Sequence, residues 1–190
     1  KISEEQQKKA LEHINSECRR LERLSGKMMT LIGLYDEDRI HKEPYPVDRL
    51  VREVADLERY HMQDSQMELL VFSESCECEM DVDLMESLLV NLLDNAIKAS
   101  KPGSVIELHG EKGRIWVRDF GKGIPKEEIP RITEAFYMVD KSRSRKAGGI
   151  GMGLALCQKI AEIHRANLVI ESVVGQGTKI SVVFQEETDE

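Results

Sequence analysis

The 190 residues hold 27 Lys and Arg against 35 Asp and Glu, a formal charge of −8, which leaves no broad basic surface for nucleic acid. Hydrophobic residues at 41% and charged residues at 33% suit a folded core, while aromatics at 5% leave little for stacking on unpaired bases. Apolar runs such as Leu88–Val90 fall far short of the roughly 20 residues that span a bilayer, and no signal-peptide pattern opens the chain, so no membrane contact is expected of it.

Between about Glu4 and Tyr35 there is no proline, and Leu11, Ile14, Cys18, Leu21, Ser25, Met28, Ile32 and Tyr35 recur at spacings alternating between three and four. That pattern predicts one long helix with a heptad seam, interrupted by a polar residue at Ser25. Leu24 and Leu31 widen the stripe to a breadth that suits a four-helix bundle. A second copy of the chain would cover the seam most simply; the alternative is a helix packed on its own domain. Asp36–Arg39 and then Pro44 and Pro46 end this helix, because proline cannot continue one. The expected divisions are a helix over 1–38, a linker over 39–46, a globular domain over 47–185 and an acidic tail over 186–190.

Within the globular part, Val47, Leu50, Val51, Val54 and Leu57 mark an amphipathic helix. Leu69–Phe72 and Cys76–Met80 read as strands, with Cys76 and Cys78 as two buried thiols alternating with glutamates. The four cysteines lack zinc-site spacing, and reduced thiols in a cytoplasmic chain are the expectation. A second helix is expected over Leu84–Ser100, then a hairpin of Val105–Leu108 and Ile115–Val117 turning through Gly110–Gly113. A third helix follows over about Gly151–His164, and a last hairpin joins Leu168–Ile170 to Ile180–Phe184 through Gly175-Gln176-Gly177. Paired rather than strictly alternating strands and helices predict an α+β fold, a mixed sheet with helices on one face.

Three segments carry chemistry. Asn91, Asn95 and Lys98 stand at i, i+4 and i+7 and so share one helix edge. Amide oxygens are hard ligands suited to Mg²⁺, and a lysine one turn on can meet phosphate; an ordinary solvated edge is the alternative. Asp119-Phe120-Gly121-Lys122-Gly123 leaves a strand. An ionised carboxylate only accepts hydrogen bonds, so it suits an exocyclic amino group such as that of adenine and rejects a carbonyl in that place. Gly148-Gly149-Ile150-Gly151-Met152-Gly153-Leu154 opens a helix whose N–H groups and dipole favour an anion, without the Lys-Ser/Thr pair of a Walker loop. Lys141, Arg143, Arg145 and Lys146 lie just upstream and read as a phosphate-capturing lid in preference to a solvated charge run.

In this order the segments resemble sensor histidine kinases. Asn91-Leu92-Leu93-Asp94-Asn95-Ala96 is similar to their N box, Asp119-x-Gly121-x-Gly123 to their G1 box, Gly149-x-Gly151-x-Gly153-Leu154 to their G2 box and Phe136 to their F box. His164, Glu171-Ser172 and Gly175-Gln176-Gly177-Thr178 match the closing segment, so the resemblance covers Pro46–Phe184. It implies a Bergerat-type α/β sandwich of three helices on a mixed sheet, preceded by the long helix. ATP and Mg²⁺ would be bound, with Asn95 holding the metal, Asp119 reading adenine and 141–149 forming the lid. Asn91, Lys98, Gly121, Gly123, Ile124, Phe136, Lys141, Arg143, Arg145, Gly149, Gly151, Met152, Gly153, Leu154 and Thr178 complete the expected nucleotide-binding set, and Asn91, Asn95 and Lys98 are also the expected catalytic residues.

The helix over 1–38 then resembles the second helix of the family's dimerisation and phosphotransfer bundle. This implies a homodimer, a response-regulator partner, and an acceptor histidine on a helix ahead of Lys1. A full-length protein could carry a membrane anchor outside these residues. His13, followed by Ile14-Asn15-Ser16, lacks the acceptor's acidic neighbour and nearby proline, so the chain alone is expected not to phosphorylate itself. Two departures from the family pattern, Ile150 and Met152 in the G2 box and Arg165-Ala166 after His164, are expected to be compatible with nucleotide binding. ATPases and serine kinases of the same superfold typically place a Glu, as general base, where this chain has Asn91. A dimeric scaffold with a vestigial ATP site is the alternative from another class.

Overall fold

In the computed structural model, which describes residues 40–139 and 151–185 throughout and positions 6, 7, 11, 14, 15, 18, 21, 22, 25, 26, 28, 29 and 32–34 ahead of them, strand β1 (Glu43–Pro46) leads directly into helix α1 (Val47–Asp64). Strands β2 (Glu68–Ser73) and β3 (Glu77–Met80), helix α2 (Val82–Ala99), and strands β4 (Val105–Glu111) and β5 (Arg114–Asp119) follow. A 3₁₀ turn at Ile129–Arg131, helix α3 (Gly153–Ile163), and strands β6 (Ala166–Val173) and β7 (Gly177–Phe184) complete the order among the described residues. Five strands form one mixed sheet in the order β2-β4-β5-β7-β6, and β1 and β3 make a separate antiparallel pair. Only β2 and β4 run parallel in the large sheet, as the connection through β3 and α2 allows.

Period-two alternation decides which face of the sheet is covered. Ile106 and Leu108 of β4, Ile115 and Val117 of β5, and Ile180 and Val182 of β7 turn one way and are buried. Over them lie Val47, Leu50, Val51 and Val54 of α1, Met85, Leu88, Leu89, Leu92 and Leu93 of α2, and Leu156, Cys157, Ile160 and Ala161 of α3, all in one core. Each large aliphatic side chain so buried contributes about 2 kcal/mol. The expected α+β architecture, a mixed sheet with three helices, is present.

Contacts distant in sequence refine several boundaries. Helix α2 starts earlier than Leu84 because the Asp81 carboxylate accepts the Leu84 N–H at 3.1 Å, an N-cap worth about 1 kcal/mol. The first hairpin turns at Lys112-Gly113 alone, and Gly110 belongs to β4, paired with Ile115. A Cβ at Gly110 would stand 2.5 Å from Val47 Cγ1, so this glycine serves helix-on-strand approach instead of a turn. The segment read as a linker contains β1, which pairs with β3. Cys76 and Cys78 are free and half-buried against the core, and burial pushes both thiols above their ordinary pKa.

His164, at the end of α3, ties two helix ends together. Its Nε2 accepts the Asp81 N–H at 2.9 Å and its Nδ1 donates to Ile160 O at 2.7 Å. Burial, chiefly, holds its pKa below the ordinary 6.5. The fold therefore favours the neutral ring, and the unfolded chain binds the extra proton first as pH falls. His109, stacked between Phe72 and Trp116 on the opposite sheet face, shifts the same way, again through burial first. Both contributions are complete above pH 6.5 and are lost progressively below it. The melting temperature should fall between pH 7 and 5.5, and His164→Gln should flatten that slope; an unaltered slope would remove His164 from the account.

Of the N-terminal stretch, the described seam residues Leu11, Ile14, Leu21, Met28 and Ile32 are helical and exposed, whereas Leu34 is buried with the core. His13, Tyr35 and the tail over 186–190 lie outside the described residues. Among the described residues no helix is long and apolar enough to cross a membrane.

Candidate functional site

The site forms where β5, β6, β7 and the end of α2 meet. Asp119 closes β5 and pairs in register with Thr178 of β7, which in turn pairs with Ser172 of β6. One polar row, Asp119–Thr178–Ser172, thus runs across three strands on the helix-covered face. Asp119 is only 5% exposed, and its Oδ1 accepts the Gly121 N–H at 2.8 Å. Burial raises its pKa, opposed by the Gly121 and Thr178 N–H groups and by the Lys122 charge. The outcome is a largely desolvated acceptor, held in one orientation by its own chain.

The loop after Asp119 lies hard against α2. Lys122 N donates to Ala99 O at 3.1 Å, and a Cβ at Gly121 would fall 2.3 Å from that same oxygen. Only glycine permits this approach, which is the physical content of the first glycine in the motif. Gly123 follows with φ +66, and Ile124 N donates to Ser172 Oγ at 2.8 Å.

Along α2, Asn91 is buried and its Nδ2 donates to Ser87 O at 2.7 Å. Asn95 has a buried amide nitrogen without a hydrogen-bond partner among the described residues. A buried amide of this kind is costly unless something outside the chain meets it, and turned over it presents its oxygen. The Asn95 position therefore fits a hydrated divalent cation or a phosphate oxygen. Lys98 is drawn back to Asp94 at 2.5 Å on the surface edge of the helix.

At the far side, Phe136 N donates to Gly151 O at 2.8 Å. Phe136 adopts φ +67 and is largely exposed, and Gly151 adopts φ +75. Met152 is buried, Gly153 begins α3, and Leu154 packs against the core. Lys141, Arg143, Arg145 and Gly149, and with them the expected lid over 141–149, lie outside the described residues. Two participants escaped the sequence reading: Ala99, which acts through its carbonyl, and Ser172, quoted only as part of a closing segment. Neither has a side-chain pattern to announce it; strand register alone puts Ser172 beside Thr178.

The profile of the histidine kinase-, DNA gyrase B-, and HSP90-like ATPases matches residues 80–188, more than half of the chain. The chain belongs to this family. Among its ATPase-family relatives, sensor histidine kinase YkoH of Bacillus subtilis is 33% identical over 181 residues, covering 94% of this chain and 39% of the relative. Sensor protein kinase WalK of Staphylococcus saprophyticus is 31% identical over 175 residues, covering 88% and 29% respectively. The chain thus spans well under half the length of these relatives. The fold matches the catalytic domain of histidine kinase ThkA with a TM-score of 0.66 at 21% identity, covering 77% of this chain and 97% of that one. It also matches full-length ShkA, solved in complex with AMPPNP, with a TM-score of 0.68 at 19% identity over 97% of this chain and 40% of that one. The ATPase-family fold of this chain is that of histidine kinase catalytic domains, and the family binds ATP.

Proposed function

We propose that this chain is the ATP-binding catalytic part of a cytoplasmic sensor histidine kinase. It would transfer the γ-phosphate of Mg-ATP to a histidine on a separate bundle helix, for relay to a response-regulator aspartate. The observation that carries the reading is the buried, acceptor-only end of β5: Asp119, fixed by the Gly121 N–H, suits the amino edge of adenine. Asn95 would hold Mg²⁺ through its amide oxygen, and Gly151 and Gly153 would bring main-chain N–H groups to phosphate at the start of α3. The metal would supply neutralisation of phosphate charge. Asn91 supports a histidine acceptor over water or serine. Its amide nitrogen is committed to Ser87 O and an amide cannot take a proton, whereas a neutral imidazole already offers a lone pair. The seam Leu11–Ile32, exposed where it is described, would be covered by a second copy in a homodimer.

Thermal melts with nucleotide test this reading. Mg-ATP at 100 times its Kd should add about 2.7 kcal/mol of stability, and Asn95→Ala should lose more of the Mg-ATP shift than of the shift with metal-free ADP. No shift in the unaltered chain at millimolar nucleotide would point instead to a scaffold with a vestigial site. Equal losses with and without Mg²⁺ would make Asn95 structural.

A further inference from the structure

Ser172 has more partners than a structural serine needs. Its Oγ accepts the Ile124 N–H at 2.8 Å, donates to Gly177 O at 3.0 Å, and stands 2.9 Å from Thr178 Oγ1. A hydroxyl has one proton and two lone pairs. With the proton on Gly177 O and one lone pair on Ile124, only a lone pair is left for Thr178. The Thr178 hydroxyl must then spend its own proton on Ser172. The reverse assignment would leave a lone-pair-to-lone-pair contact or deprive Gly177 O of its side-chain donor, both of them unfavourable away from water.

We propose that Ser172 is a specificity-determining positioning residue: it fixes the direction of the Thr178 hydroxyl, so that Thr178 and Asp119 together offer the bound base acceptors only. This deepens the nucleotide reading above and rests on it. Thr178 is buried beside Asp119 in register, and the Asp119 carboxylate accepts without donating. A base with an amino group at this edge satisfies both oxygens, whereas a base with a carbonyl there faces two acceptors and no donor. Selection for an adenine-type over a hypoxanthine- or guanine-type base is thereby set from one strand away, by a side chain that itself stays behind Thr178.

The experiment compares ATP with inosine triphosphate, which replaces the amino group by a carbonyl, by isothermal titration on the whole chain. In Ser172→Ala the Thr178 hydroxyl is released and turns to donate to the carbonyl, so the ATP-to-inosine affinity ratio should contract by about three- to tenfold. Ser172→Cys, which keeps the volume but bonds weakly, should contract it in the same direction and carries the test if the alanine variant fails to fold. Ser172→Thr retains the hydroxyl and should restore the ratio. If Ser172 only braces the loop, the alanine and cysteine variants will weaken both nucleotides in equal proportion, and the unchanged ratio would overturn the proposal. Failure of the unaltered chain to bind either nucleotide would overturn the nucleotide reading itself, a distinguishable result.

Discussion

Asp119→Ala is expected to weaken ATP binding by roughly ten- to 150-fold, the equivalent of one charge-assisted hydrogen bond of about 1.5–3 kcal/mol. The size follows from the setting. The carboxylate is 5% exposed, so little water competes for it, and the Gly121 N–H holds it in the accepting orientation before any ligand arrives. Because burial raises its pKa, the charged acceptor is lost at a higher pH than for an ordinary aspartate. ATP affinity should accordingly decline on acidification before exposed carboxylates titrate. Asp119→Asn keeps the shape and one acceptor, and should fall between the two. Isothermal titration showing unchanged affinity in the alanine variant would dismiss Asp119 as the base-reading residue.

Gly177→Ala should cost about 3 kcal/mol or more, lowering the melting temperature by about 6–12 °C for a chain of this size. Two effects combine there. Gly177 has φ +102, and a Cβ on it would stand 2.0 Å from the carbonyl oxygen of Asp119, a main-chain atom that cannot swing aside. The strand carrying Thr178 would be pushed from β5, so nucleotide binding should weaken along with the fold. Gly175 makes the internal control: its φ is +80, yet a Cβ there meets nothing within 4 Å, leaving only a backbone cost of about 1–2 kcal/mol. Equal losses in the two variants, measured by denaturant titration, would show that β7 relieves the close contact by moving.

The segments expected to carry chemistry are proposed from the sequence because each depends on local geometry. Asn91 and Asn95 fall on one edge of α2 by helical period, and Asp119 with its glycines announces a strand end pressed close to another backbone. The α+β class followed from period-two and period-3.6 patterns whose apolar residues had to meet. Gly110 shows the converse: by composition it looks like turn chemistry, and only α1 crossing β4, with Val47 against it, makes it a packing residue. Lys98 sits on the expected edge, and its partner Asp94 stands four residues before it on α2, a pairing that helical spacing makes legible in the sequence.

What the sequence by itself determined is which polar groups stand together along each element: the Asp119 carboxylate with its glycines at the end of β5, the amides of Asn91 and Asn95 on α2, and the glycines that open α3. Tertiary structure decided how those groups are aimed. Strand register brought Ser172 from β6 beside Thr178 of β7, and His164 at one helix end reached the N–H of Asp81 at another, across 83 positions of chain. The direction of a hydroxyl proton and the burial of an imidazole depend on neighbours supplied by other strands and helices. No local pattern encodes them, because their energy arises only when the sheet closes and water leaves.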